Sequence, residues 1–226
     1  MKLFKLIVAI NYTEIPSGLN YRTKLLTLLT GKEQNAGKLP FGENFELRVN
    51  GKKLFLNVGL DKTGFEINQP ESEQVAINEG ISFFKKVYNF AQWKTIDRIG
   101  VRSFWVDTYS IEFSKLIELY KEKFFREVPL ISRAPDVAFA LTLKDGNRKI
   151  NFNTGPMQKK QLVEVFLPQA PFEEKDVPET FAFVDHDYYL LEKNEYKNAF
   201  LEKFVNNAVL LAKTKASETF KILRGK

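Results

Sequence analysis

The chain's one histidine, His186, stands between two carboxylates in Asp185-His186-Asp187. Carboxylate and imidazole are common metal ligands, and an imidazole beside an acid can act as a general base. Alternation along an extended chain opposes both uses, because Asp185 and Asp187 point to one side of a strand and His186 to the other. With no second histidine and no cysteine in the chain, a triad or a zinc centre would have to be completed by other residue types. Asp185, His186 and Asp187 are therefore read as polar-site candidates, with no metal and no cofactor expected.

A second concentration of chemistry lies in Arg98-Ile99-Gly100-Val101-Arg102. In a strand Arg98, Gly100 and Arg102 share one face, while Asp97, Ile99, Val101 and Trp105 share the other. Two guanidinium groups roughly 13 Å apart along a strand are too far apart for one carboxylate, and they suit two phosphates or two separate partners. Gly100 lets a ligand or another backbone approach between them. Arg98 and Arg102 are the anion-binding candidates. On the structural alternative, each pairs with an acid on a neighbouring strand, such as Asp185 or Asp187.

No glycine-rich phosphate loop, nucleophile elbow or paired-histidine metalloprotease helix occurs. No catalytic residue is assigned. The carboxylates Asp97, Asp107, Asp185 and Asp187 are the material from which an unrecognised acid–base site would be built. Trp93, Trp105, Tyr188 and Tyr189 could stack on bases, but aromatics at strand or helix spacing belong first to a core. Nothing reproduces the aromatic and basic ribonucleoprotein motif.

Composition narrows the class. The chain has 226 residues, 44% hydrophobic and 27% charged, enough to bury a sizeable core without disulfides. Lack of cysteine removes thiolate nucleophiles and iron–sulfur clusters and suits a cytoplasmic location. The start, from Met1 to Ile10, reads as a strand and not as a signal peptide. No apolar run approaches the ~20 residues of a membrane-spanning helix. The net charge of +6 favours acidic partners, yet lysines and glutamates are interleaved in mixed-charge stretches, as at Lys121, Glu122 and Lys123.

The elements that must position these residues follow from periodicity. After the first strand, Leu19 to Leu29 reads as a short helix ended by Gly31. Phe45, Leu47 and Val49 alternate, Asn50-Gly51 signals a type I′ turn, and Leu54 to Leu60 returns. Phe65 and Ile67 add a strand, and Ser72 caps a helix with Ile77, Ile81, Phe84, Tyr88 and Ala91 on one stripe. The order then repeats: a strand over Ile96 to Val106, a helix capped by Ser110, and a hairpin turning at Asp145-Gly146. Gln161 to Leu167 reads as a further strand, Phe181 to Tyr189 as another, and Tyr196 to Leu223 as a long closing helix.

This defines an α+β fold with a mixed or antiparallel sheet and long packed helices. Two similar halves, 1–93 running β-α-β-β-β-α and 94–226 running β-α-β-β-β(β)-α with three or four strands before the last helix, suggest an internal duplication packed as one unit. The TATA-binding proteins have a similar doubled plan, which is an analogy of fold and transfers no DNA binding.

At Arg98-Ile99-Gly100-Val101-Arg102 followed by a helix, and at the closing helix with Phe220 near its end, the chain resembles a family of sporadically distributed bacterial proteins of unknown function. The resemblance runs from the Asn50-Gly51 hairpin to the C-terminus, including Val137 to Phe152 and Asp185 to Asp187. It implies the same element order and supplies no catalytic residues. The expected function is a non-catalytic binding or interaction module with a protein partner or acidic ligand. Two other classes stay open: nucleic-acid or nucleotide binding through the basic strand face of Arg98 and Arg102, and an enzyme with the carboxylate site above.

Overall fold

A computed structural model describes residues 1–12, 44–49, 53–59, 61–91, 94–125, 128–165 and 173–225. Leu19 to Leu29, the turn at Asn50-Gly51, and Trp93 lie outside the described residues. The elements in chain order are β1 Lys2–Tyr12, β2 Asn44–Val49, β3 Leu54–Gly59, β4 Lys62–Asn68, α1 Glu73–Ala91 and β5 Thr95–Thr108. They continue with α2 Phe113–Phe124, α3 Pro129–Ser132, β6 Phe139–Asp145, β7 Arg148–Gln158, α4 Lys159–Val165, β8 Thr180–Leu190, β9 Asn194–Glu195 and α5 Asn198–Leu223.

Eight strands form one open sheet in the order β2-β3-β4-β1-β5-β8-β7-β6, and β9 adds two residues against β5. Every strand pairing is antiparallel, so the mixed option gives way to a purely antiparallel sheet among the described residues. Outward from the central β1–β5 pair the order is β4-β3-β2 on one side and β8-β7-β6 on the other. Both halves thus contribute their strands in the same sequence. Shared connectivity alone is not a demonstration of duplication.

One face of the sheet is covered by helices, α1 against β1, α5 against β5 and β8, and α2 against β7. Alternation explains which residues meet them: Leu6, Val8, Ile10 and Tyr12 from β1, Ile99, Val101 and Trp105 from β5, and Ala182, Val184 and Tyr188 from β8 are all buried in this core. Ser72 starts α1 as expected, its Oγ accepting a hydrogen bond from the Val75 backbone N–H at 3.2 Å. Ser110 does not cap α2. That helix begins three residues later, behind Glu112, whose side chain makes no cap hydrogen bond.

The residues 161 to 165 are helical, not extended, and this corrects the reading of a strand from Gln161 onward. β7 stops at Gln158, whose backbone N–H donates to Gln161 Oε1 at 2.8 Å, and the turn that follows carries Leu162 into a second apolar cluster. A short apolar run is compatible with either period until something covers it.

That second cluster, of Phe4, Phe104, Val106, Met157, Leu162, Val177, Phe181 and Phe183, sits on the sheet face opposite the three long helices. Phe104 stacks on Phe183 with centroids 5.3 Å apart. It occupies only one end of that face.

Packing of α1 onto the sheet depends on Gly80. A Cβ there would overlap the Phe65 ring at Cζ, and Phe65 is buried against Phe83 and Phe84. Gly80→Ala is expected to destabilise the chain by about 1 to 3 kcal/mol through overpacking, although alanine is the better helix former by ~1 kcal/mol. Urea denaturation checks this; an unchanged or raised midpoint would show that Phe65 has room to move.

Candidate functional site

Beyond the second cluster, the face opposite the helices is lined by polar side chains from five strands. Alternation places Lys5, Ile7, Ala9 and Asn11 of β1 on it, with Gly64 and Glu66 of β4. β5 contributes Arg98, Gly100 and Arg102, and β8 contributes Asp185, Asp187 and Tyr189. Asn151 and Asn153 of β7 complete it.

Arg102 is held by Asp185. Its Nε donates to Oδ1 at 2.8 Å and its Nη2 to Oδ2 at 2.7 Å, a bidentate pair. The Asp185 side chain is 6% exposed and that of Arg102 47%, so the carboxylate is buried beneath a guanidinium that reaches solvent. This is the structural alternative weighed for the arginines, realised at Arg102. The hydrogen bonds that Arg102 donates to Asp185 raise its pKa above the ordinary value.

Arg98 differs. Among the described residues it makes no ion pair, and its guanidinium lies over the bare backbone of Gly100, with Nη2 3.4 Å from where a Cβ would stand. Its Cζ is 5.3 Å from the centre of the Tyr189 ring, a cation–π contact. Gly100 therefore serves Arg98 itself, by letting the planar cation rest on the sheet.

Lys5 and Glu66, which the sequence reading did not single out, form a buried pair at 3.2 Å beside Arg102. Asn68 Nδ2 also donates to Glu66 Oε1 at 3.2 Å. Burial lowers the Lys5 pKa, and Glu66 acts against that shift. A signal existed: Lys5 and Asn11 alternate with Leu6, Val8 and Ile10, marking a face that no long helix covers.

The remaining polar candidates do not gather at one place. Asp187 lies on the open face opposite Arg102 in the ladder; burial raises its carboxyl pKa, and the charges of Arg98 and Arg102 oppose the rise. Asp107 lies on the helix-covered side and takes a bidentate contact from Arg224, Nη2 to Oδ1 at 2.8 Å and Nε to Oδ2 at 3.0 Å, beside the Met1 amino group. Asp97 is the residue that the β1–β5 ladder skips, and one of its carboxylate oxygens is buried without a hydrogen-bond partner.

His186 is on the covered side, 1% exposed, with neither ring nitrogen hydrogen-bonded. Burial pushes its pKa from 6.5 down to about 4, leaving a neutral imidazole at pH 7. Among the described residues no group of three or more histidines, cysteines or acids is arranged to hold a metal ion.

A cavity of about 280 Å³ opens on the polar face, bordered among others by Ala9, Phe55, Asn57, Gly64, Glu66 and Arg98. Its size is at the small end of ligand cavities. Phe55 is buried and supplies an aromatic wall, and Asn57 Oδ1 is a buried acceptor without a hydrogen-bond partner. Gly64 keeps the floor low, since a Cβ there would come within 3.1 Å of the Val8 carbonyl oxygen.

Fold and site together define an α+β chain with a sheet buried on one face and carrying an organised polar surface on the other. No protein-family model matches the chain, and no curated protein matches it. No helix among the described residues is long and apolar enough to cross a membrane.

Proposed function

We propose that this chain is a non-catalytic binding module whose ligand carries an anionic group received by Arg98 on the open face of the sheet. The observation that carries the reading is the state of Arg98, a cation seated on Gly100 and Tyr189 with no ion-pair partner among the described residues, at the edge of a cavity. A guanidinium so held is pre-organised for a carboxylate or phosphate and loses little freedom on binding. The unpartnered Asn57 Oδ1 on the cavity wall asks for a donor on the same ligand.

The engagement of Arg102 and Asp107's contact with Arg224 argue against the two other classes. A bare basic strand would present both arginines to phosphates, and of the four carboxylates a general base would draw on, Asp185 and Asp107 are committed to guanidinium groups while Asp97 and Asp187 lie apart from each other on different faces.

The test is calorimetry of the parent chain with small mono- and dicarboxylates and phosphates, repeated on Arg98→Ala and Arg98→Lys. Binding by at least one such anion is expected, with Arg98→Ala weakening it about tenfold or more. Folding stability should change by only about 0 to 1 kcal/mol, because the lost charge has no ion-pair partner. Equal binding by Arg98→Ala, or no binding across the panel, overturns the proposal. Oligonucleotide binding that falls steeply with salt would support the nucleic-acid reading instead.

A further inference from the structure

We infer that two copies of this chain associate through the outer edge of β6, which is free among the described residues, pairing antiparallel about Thr142 to continue the sheet from one molecule into the next. β6 closes the strand order and pairs only with β7 among the described residues. Six of its seven residues, Ala140 to Asp145, are exposed. Leu141 and Leu143 are 47% and 40% exposed on a strand whose other face carries Ala140, Thr142 and Lys144.

The backbone settles which groups are free. The β6–β7 hairpin has a two-residue turn, Gly146-Asn147, flanked by the Asp145–Arg148 pair, and Gly146 supplies the positive φ of 61° that such a turn needs. The flanking pair of a two-residue hairpin is hydrogen-bonded, and bonding alternates along the ladder. Asp145, Leu143 and Leu141 therefore direct N–H and C=O toward β7, while Lys144, Thr142 and Ala140 direct theirs outward. An unpaired row of this kind is a template for another strand.

The outward row is complementary to itself. With Thr142 opposite Thr142 of a second copy, Ala140 and Lys144 face each other in both directions, and all outward groups find partners. On the helix side Leu141 meets Leu143 twice, gathering four half-exposed leucines about the dyad. No like charges meet, since Lys144 faces Ala140 and Asp145 faces Phe139. Neither a proline nor a bulge interrupts β6, and its one edge lysine, Lys144, would face the small Ala140 of the second copy. A two-fold axis through an antiparallel strand pair is the isologous closure expected of a homodimer. One strand pair is a small interface, so association is expected in the micromolar range.

Sedimentation velocity of the full chain from about 10 to 300 µM tests the proposal. A concentration-dependent dimer is expected. Thr142→Pro removes an outward N–H and leaves the β6–β7 bonds intact; it should be monomeric with a circular dichroism spectrum like the parent's. Leu143→Lys, at an exposed position, should raise the dissociation constant about tenfold or more. Because the chain has no cysteine, Thr142→Cys reports register: a hydrogen-bonded pair has Cα atoms ~5.5 Å apart, within disulfide reach, so mild oxidation should link two copies. Ala140→Cys should not link, being offset from its own copy by four residues. A monomer at every concentration, or equal linking of the two cysteine variants, overturns the inference.

Discussion

Replacing Arg102 with alanine is expected to cost about 3 kcal/mol of folding free energy, several times the cost of replacing Arg98 four residues away. The difference comes from what each arginine leaves behind. Loss of Arg102 strands the Asp185 carboxylate, 6% exposed and bonded to both donors of the guanidinium, and breaking a pair around a buried charge costs roughly 3 to 5 kcal/mol. The lower end applies, because Arg102 is half-exposed and water can enter where it stood. Lys5 is close enough to feel Asp185 and offsets part of the loss. Changing both partners, Arg102→Met with Asp185→Leu, removes the stranded charge and should recover most of the stability. Urea denaturation of the three variants with the parent measures this. An Arg102→Ala midpoint equal to that of Arg98→Ala would show that Asp185 is not held by Arg102.

Acidification from pH 6.5 to 4 is expected to remove about 3 kcal/mol of stability through His186 alone. The imidazole has a folded pKa of about 4 against its ordinary 6.5, and each unit of difference corresponds to ~1.4 kcal/mol. The sign follows from proton counts. Between these values the unfolded chain binds a proton at His186 and the folded chain does not, so stability is full above pH 6.5 and falls toward pH 4. Burial is the first cause, Lys215 of α5 adds to it and Asp185 opposes it. Tyr188 lies alongside, ring centroids 6.4 Å apart, and Ser103 and Phe152 are its ladder neighbours. His186→Phe keeps a planar ring and removes the titration. The difference in stability between parent and variant should therefore change by about 3 kcal/mol across this window, whatever the carboxylates contribute to both. A constant difference would mean that His186 is hydrated or already paired.

Much of this was open to reading from the residue order. Period-two alternation placed Arg98, Gly100 and Arg102 on one side of a strand, and it separated His186 from Asp185 and Asp187; the ladders of β5 and β8 have those faces. The closing helix and the Ser72 cap were legible because both signals are local. Failures share a cause. The stretch from Gln161 was apolar enough for a strand, and it became helix because Leu162 found a cluster built by Phe4, Phe104 and Phe181. Those residues are far away in sequence, and no local pattern announces them.

Local order therefore determined the α+β class, the order of the longer strands and helices, and the placing of Arg98 with Gly100 on one face, since periodicity and turn chemistry are properties of neighbouring residues. Tertiary structure decided the different fates of the two arginines. β8 lies against β5 in a register that puts the Asp185 carboxylate within reach of Arg102 and leaves Arg98 against Tyr189. Register between strands more than 80 residues apart is set by packing of both sheet faces at once, and a one-residue slip would have exchanged the faces and given the arginines other partners.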